Sequence, residues 1–309
     1  MLGSVVLLSL APIFIKSIQA SAISILVFRC ILGALCLFLF VTINRASTTV
    51  SRRRHVFMNK QQSGTLEGGS PQGLKQGWYL LAIPGMVLAV HWYSYFLALQ
   101  STTVTIAVLT MFTFPVFTAL LQPLFTSQRG SVADWLLLAW VAFGLYLVLP
   151  PERSWSVHWT GALWGVLSAF LFAIRNLVSQ RQLTRFSGSQ IMLHQLFWAA
   201  LIFLPFANDF IAILAWPNIG WALALAVFGT ALAHSWWMRS HASYSALQVG
   251  LVSTIGPVLS ILWAAIYFQE WPGIRSLIGS VLVLSGAVLE IIRSSASEKQ
   301  TGLESGGAD

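Results

Sequence analysis

Two small groups of histidine and aromatic side chains interrupt long apolar runs of this chain. The third apolar run carries His91, Trp92 and Tyr95, and the eighth carries His234 and Trp237. On helices, His91 and Tyr95 share a face because they are four residues apart, and the same holds for the second pair, three apart. Such rings are suited to stacking on planar or cationic small molecules. We predict that all five contact a substrate. The alternative is that the rings lie at a membrane interface and the histidines bond to a nearby carbonyl.

Further candidates are polar and aromatic side chains on other apolar runs. Polar groups are costly inside a membrane, so those that occur there are candidates for a function. Arg175 either extends to the lipid headgroups or, if it faces the interior, favours a carboxylate on the substrate. Serine and threonine hydroxyls often bond to their own helix, which is the alternative for that class. The predicted binding set also includes Thr110, Phe172, Asn176, Gln248 and Ser253.

Two prolines within apolar runs are the predicted gating residues. Pro115 and Pro257 each remove one hydrogen bond from a helix and favour a kink. A carrier needs helices that break or bend while its site opens to each side in turn. A static bend, which membrane helices tolerate, is the alternative interpretation.

Composition identifies a membrane protein. Hydrophobic residues make up 57% of the 309 residues and charged residues 8%, whereas a soluble domain carries roughly 25% charged residues. The mean hydropathy is +0.76. The net charge of +8 comes from basic residues between apolar runs, a pattern typical of membrane loops and not of a nucleic-acid surface. The predicted partners are the lipid bilayer and a small-molecule substrate, with no nucleic acid.

Ten apolar runs have the length of a membrane-spanning helix. The predicted fold class is therefore all-α integral membrane, with ten transmembrane helices in two inverted five-helix repeats. The repeats comprise residues 1–150, with a polar cytoplasmic loop at 44–76, and 155–294, and a flexible tail covers 295–309. The predicted spans are 2–17, 22–43, 77–98, 102–125, 132–150, 159–181, 188–207, 217–237, 243–268 and 273–293.

Basic residues orient the chain with both termini in the cytoplasm. In this orientation 12 of the 17 lysines and arginines lie on the cytoplasmic side, as the positive-inside rule requires. The predicted location is the inner (cytoplasmic) membrane of the cell. The 12 residues are Arg45, Arg52, Arg53, Arg54, Lys60, Lys75, Arg129, Arg181, Arg185, Arg239, Arg293 and Lys299.

The two halves match at positions that constrain the backbone. A shift of about 142 residues places Pro115 on Pro257 and Gly144 on Gly286. Because each half has an odd number of spans, the second half enters the membrane from the opposite side, and the repeat is inverted. Alignment of the front parts starts before Met1, so the first span is expected to be short, as if N-terminal residues were missing.

Acidic residues are expected at the ends of spans. Glu270 follows the ninth span and Glu290 lies near the end of the tenth, with Arg275 and Arg293 as their predicted partners. Since no acid is placed clearly at the middle of a span, proton coupling would have to use the two histidines of the binding set. Facilitated diffusion or exchange fits as well.

The sequence has no signature of a cofactor or of catalysis. It has no G-x-x-x-x-G-K-[ST] loop, no metal-ligand spacing and no G-x-S-x-G elbow. We therefore predict no cofactor, no metal and no enzymatic activity. A secondary transporter of small metabolites such as amino acids fits best. An intramembrane lipid-modifying enzyme or a non-transporting scaffold is the alternative.

Several motifs resemble the drug/metabolite transporter superfamily, EamA type. They are the proline-containing stretch Thr103–Phe117, S-A-L-x-x-G-L-x-S-x-x-x-P-V-L at Ser245–Leu259, Glu270, and G-x-x-L-V-L-S-G-A at Gly279–Ala287. The resemblance implies a ten-helix inverted-repeat exporter or exchanger of small metabolites. It also implies a central cavity lined by spans 1, 3, 4, 6, 8 and 9. Gln128 departs from the family, because an acid is common at the end of the fourth span.

Overall fold

The computed structural model describes residues 1–39, 82–125, 132–149, 155–182, 188–233, 236–237 and 252–306, and these form helices without a strand. The predicted site residues His234 and Gln248, and the loop at 44–76, lie outside this set. A 3₁₀ turn follows α8 at Leu204–Phe206, and a π-helical segment follows α10 at Val227–Leu232. The α-helices are α1 (Leu2–Ser17), α2 (Ala22–Leu39), α3 (Ala82–Ser101), α4 (Val104–Met111), α5 (Phe114–Phe125), α6 (Val132–Val148), α7 (Trp155–Gln182), α8 (Gly188–Phe203), α9 (Phe210–Leu214), α10 (Asn218–Ala226), α11 (Ile255–Phe268) and α12 (Ile274–Gly306).

The helix lengths are those of a membrane bundle. Five helical stretches of the described residues are long and apolar enough to cross a bilayer, and α4 and α5 together form one of them. Five shorter apolar helices of 10–17 residues lie at the remaining predicted spans. Large apolar side chains such as Ile274 and Val281 remain exposed on the outside, as lipid-facing residues do. An all-α membrane fold is confirmed for the described residues.

The main core forms where α3 packs against α7 and α8. Phe96 and Leu99 of α3 are completely buried there, together with Leu196 of α8. On the other side α1 packs against α10, the π-helical segment and α11, and α4 contacts both α7 and α11. The helices that carry the predicted site residues are therefore neighbours.

Glycines allow α6 and α12 to approach closely. A Cβ atom on Gly279 would lie 2.5 Å from the Gly144 carbonyl oxygen, and one on Gly286 would lie 2.5 Å from a methyl group of Val141. Small residues at such a contact let helix backbones pack directly in a membrane, where dispersion forces replace the hydrophobic effect.

Both gating candidates lie in the first turn of a helix, just after an interruption. α4 ends at Met111, and Pro115 is the second residue of α5; Thr254 forms a turn, and Pro257 is the third residue of α11. A proline fits the first turn because its missing N–H has no helical partner there. The breaks therefore precede the prolines.

Candidate functional site

His91 links α3 to α7 inside the bundle. Its Nδ1 atom lies 2.9 Å from the Ser168 carbonyl oxygen and 2.8 Å from the Ser168 hydroxyl, which itself donates to the His91 carbonyl at 3.1 Å. Phe172, one turn further along α7, stacks on the imidazole with ring centroids 4.9 Å apart. Two predicted site residues on different helices thus meet, and one imidazole nitrogen is engaged by α7.

Trp92, next in sequence, forms one wall of a buried arginine site. The Arg29 guanidinium carbon lies 3.9 Å from the Trp92 ring centroid and 5.7 Å from that of Phe96. Arg29 Nε donates to Thr230 Oγ1 at 2.7 Å, and Nη2 donates to the Gly229 carbonyl at 3.3 Å. We call these five residues the Arg29 cluster. It connects α2, α3 and the π-helical segment, and the sequence-based binding set did not include Arg29, Phe96, Gly229 or Thr230.

A second arginine points from α7 towards α8. Arg175 Nε and Nη2 donate to Gln195 Oε1 at 3.0 and 2.6 Å, and Nη1 donates to Asn176 Oδ1 at 3.2 Å. Gln195 is completely buried, and its Nε2 atom donates to Ser179 Oγ at 3.0 Å. Arg175 is therefore held inside the bundle. Gln195 was absent from the predicted set, although a glutamine within an apolar run was an available signal.

The other predicted site residues have more local contacts. Thr110 Oγ1 donates to the carbonyls of its own helix, at 2.8 Å and 3.0 Å, and the side chain occupies the space over Gly165 of α7. Tyr95 is half-buried on α3 and packs against the main core. Trp237 and Ser253 are half-buried. The structure thus groups His91 with Phe172, and Trp92 with Arg29.

At one end of the bundle, an ion pair joins α1 to the segment that follows α11. Lys16 Nζ donates to Glu270 Oε1 at 2.5 Å and to the Thr102 carbonyl at 2.8 Å. Glu270 Oε2 accepts the backbone N–H of Val104 at 2.8 Å, where α4 begins. A carboxylate at a helix N-terminus is favoured by the helix dipole. Three helices are thus joined at this rim.

Another set of charges joins α6 to α12. Arg293 donates to Asp134 and, at 2.8 Å, to Glu290 Oε2. The expected partnership of Glu290 with Arg293 is confirmed, and that of Glu270 with Arg275 is wrong. Arg275 donates to a carbonyl of α6 at 3.2 Å. The fold instead brings Lys16 of α1 into contact with Glu270.

The described interior contains charged and aromatic side chains of the kinds that bind polar molecules. No group of three or more histidine, cysteine or acidic side chains able to hold a metal occurs among the described residues. The interior instead offers two guanidinium groups, an imidazole and several aromatic rings. Groups of these kinds are suited to hydrogen bonds and cation–π contacts with a polar molecule.

Comparison with known proteins agrees with this picture. The model of the EamA-like transporter family matches residues 1–149 and 159–292. The chain is 28% identical to the pseudopaline exporter CntI of Pseudomonas aeruginosa over 216 residues, which are 69% of this chain and 75% of that protein. It is 30% identical to the threonine/homoserine exporter RhtA of Escherichia coli over 183 residues, 58% and 59% of the two chains.

An uncharacterized transporter of Archaeoglobus fulgidus is 27% identical over 196 residues, 63% of this chain and 70% of that one. A solved structure, described only as a crystal structure of a protein, superposes with a TM-score of 0.58 at 17% identity and covers 96% of both chains. That likeness concerns the fold alone. The family match extends over both halves of the sequence, and the chain belongs to the EamA-like transporter family of membrane transporters.

Proposed function

We propose that this transporter exports small amphipathic metabolites such as amino acids from the cytoplasm by alternating access. The observation that carries the proposal is the polar interior: His91, Trp92, Arg29 and Arg175 are held among helices whose outer surfaces are apolar. A static scaffold gains nothing from charges buried in this way, because they are costly in a membrane. The names of CntI and RhtA support export, and the threonine and homoserine named for RhtA carry amino and carboxyl groups.

The helix contacts support a division of the chain into two equivalent repeats, residues 1–150 and 155–294. An exchange of halves would map α1 onto α7, α3 onto α10, α4 with α5 onto α11, and α6 onto α12. The contact of α3 with α7 then corresponds to that of α10 with α1, and the contact of α4 with α7 to that of α11 with α1. The pairs α4–α11 and α6–α12 map onto themselves. Such pairing favours a ten-helix inverted repeat.

Alternating access assigns roles to the rims and to the helix breaks. With both termini in the cytoplasm, as the basic residues favour, the Lys16–Glu270 pair lies on the outer side and must separate when cargo leaves. The breaks before Pro115 and Pro257 are the proposed hinges. The proposed binding set is His91, Trp92, Tyr95, Thr110, Phe172, Asn176, His234, Trp237, Gln248 and Ser253.

A counterflow experiment tests transport directly. Liposomes that contain the purified protein are loaded with one unlabelled metabolite at a time, from a panel that includes threonine and homoserine. Uptake of the same compound in labelled form is then followed. Transient accumulation above the equilibrium level is expected for at least one compound. Liposomes without protein are the control. A panel that shows no accumulation, with the protein correctly inserted, would leave the scaffold alternative.

A further inference from the structure

Two cations at the rims of the bundle have carboxylate partners, whereas the two arginines inside have none among the described residues. Lys16 pairs with Glu270, and Arg293 pairs with Asp134 and Glu290. Among the described residues, no acidic side chain pairs with Arg29 or Arg175. Every acceptor that the described structure offers to these two guanidinium groups is uncharged: Thr230 Oγ1, the Gly229 carbonyl, Gln195 Oε1, Asn176 Oδ1 and the Met192 sulfur.

Arg29 is the clearer case because it is 5% exposed. A guanidinium has five N–H donors, and only two hydrogen bonds of Arg29 are made to described residues. The Trp92 and Phe96 rings attract the positive charge through cation–π contacts. They do not replace hydrogen-bond acceptors in the plane of the guanidinium. Among the described residues, the site therefore holds a positive charge and N–H donors that have no acceptor.

The second arginine, Arg175, lies on α7, which packs against α3. Arg175 is near the Phe172 ring, 5.8 Å from the guanidinium carbon to the ring centroid, and Phe172 stacks on His91. His91 adjoins Trp92, which faces Arg29. The two guanidinium groups therefore lie at the two ends of one series of ring contacts that runs from α7 to α2.

A guanidinium inside a membrane is stabilised most strongly by a carboxylate, which accepts two parallel N–H bonds. The chain supplies no such group to Arg29 from the described residues. We propose that the cargo supplies it: Arg29 binds a carboxylate of the transported metabolite, and the positive interior selects organic anions and amino acids over uncharged or cationic analogues. This inference rests on the proposed transport function and specifies its substrate class.

The test compares each carboxylate with the amide of the same shape. Succinate and succinamide, and L-threonine and L-threoninamide, are used as probes of the full-length protein. Binding is measured by the unfolding temperature and by tryptophan fluorescence, and transport is measured by counterflow in liposomes. We expect a carboxylate to bind at least about thirtyfold more tightly than its amide, the size of effect typical for loss of one partner from a buried charge pair.

Variants separate binding from a structural role of the arginine. R29M removes the charge and is expected to lose the preference for the carboxylate. R29K keeps the charge without the planar fork and is expected to retain part of the preference, which provides a result if R29M does not fold. S280A is the control: it removes a buried hydroxyl of α12 that bonds to its own helix and lies outside the Arg29 cluster, so the carboxylate preference should persist.

The outcomes are distinguishable. Transport of amides as readily as of carboxylates, or an unchanged preference in R29M, overturns the inference while leaving the transporter intact. Carboxylate binding that depends on Arg29 without any counterflow supports the anion site and counts against transport. Neither binding nor transport by any member of the panel counts against both proposals.

Discussion

Positively charged side chains have different partners at the rims and in the interior of this bundle. At the rims, Lys16 and Arg293 contact carboxylates from other helices. In the interior, Arg29 and Arg175 contact hydroxyl, amide, sulfur and carbonyl groups of the described residues. The solvation of a charge is weakest in the interior, so a partner is worth most there. The rim pairs join one helix to another, whereas the described acceptors of the interior arginines are uncharged, and this difference is the basis of the carboxylate site proposed for Arg29.

The largest effect is expected when the protein itself supplies a carboxylate to Arg29, because the interior would then resemble the rims. T230D places an acid beside Arg29 Nε, where Thr230 Oγ1 now accepts at 2.7 Å. The internal ion pair should displace the cargo, and we expect counterflow of carboxylate substrates to fall at least about a hundredfold, since a buried charge pair is worth several kcal/mol. Counterflow in liposomes measures the effect.

T230N is the matched control, because it has the same shape without the charge. It is expected to retain far more transport than T230D. Unchanged transport of carboxylates by T230D, with the protein inserted and folded, would mean that Arg29 takes no part in binding.

Close packing gives a second contrast between interior and rim. A Cβ atom on Gly165 would overlap the Thr110 side chain, whereas nothing lies within 4 Å of the Cβ position at Gly273. G165A is therefore expected to lower the free energy of unfolding by about 1–3 kcal/mol, the usual effect of overpacking. G273A should change it by less than about 0.5 kcal/mol. Thermal unfolding in detergent, with T110A combined with G165A to relieve the overlap, checks the cause.

Much of the fold could be predicted because its physical cause lies in the sequence itself. A run such as that of α3 is apolar over the thickness of a bilayer, and the lipid then requires a helix. The positions of the helix breaks were harder to predict from the sequence. Pro115 predicted a kink in the fourth span, but the interruption falls at Phe112 and Thr113, and the π-helical segment before Ala233 had no sequence signal that we recognised.

The site was less predictable because spacing gives the face of a helix but not the neighbour it meets. His91 and Trp92 were found because polar or aromatic groups in an apolar run are conspicuous. Their partners Ser168 and Arg29 are 77 residues or 63 residues away along the chain. The ion pair of Lys16 with Glu270 spans 254 residues. Such contacts follow from the rotation and packing of whole helices, which periodicity does not specify.

The rim pair between α1 and the segment that follows α11 should be measurable by a double-mutant cycle. The Lys16 and Glu270 side chains are 22% and 17% exposed, so solvent screens them only in part. We expect E270Q to reduce the free energy of unfolding by about 1–2 kcal/mol and K16M to do the same, with a coupling of about 1 kcal/mol in the double variant. Strictly additive losses would mean that the two side chains do not stabilise each other.

The smallest effect is expected at Asp209, between the 3₁₀ turn and α9. Burial alone would raise the pKa of this carboxyl, but hydrogen bonds from the hydroxyls of Ser21 and Ser24 and from the Ser21 backbone N–H hold the pKa below its ordinary value of 3.8. The negative charge also lies at the N-terminus of α2, where the helix dipole favours it. Asp209 thus stabilises the folded state in its charged form.

A lowered pKa means that this stabilisation is complete above the unfolded-state value near 3.8 and is lost as the pH falls through the lower folded-state value. D209N should therefore unfold at most about 2 °C below the wild type at pH 5–8, since the site is well solvated. The gap should close below about pH 4. Unfolding temperatures measured from pH 3 to pH 8 check this, and a gap that widens in acid would contradict it. Because Asp209 is a rim acid held by hydroxyl groups and a helix end, its loss should leave the carboxylate preference of the interior unchanged.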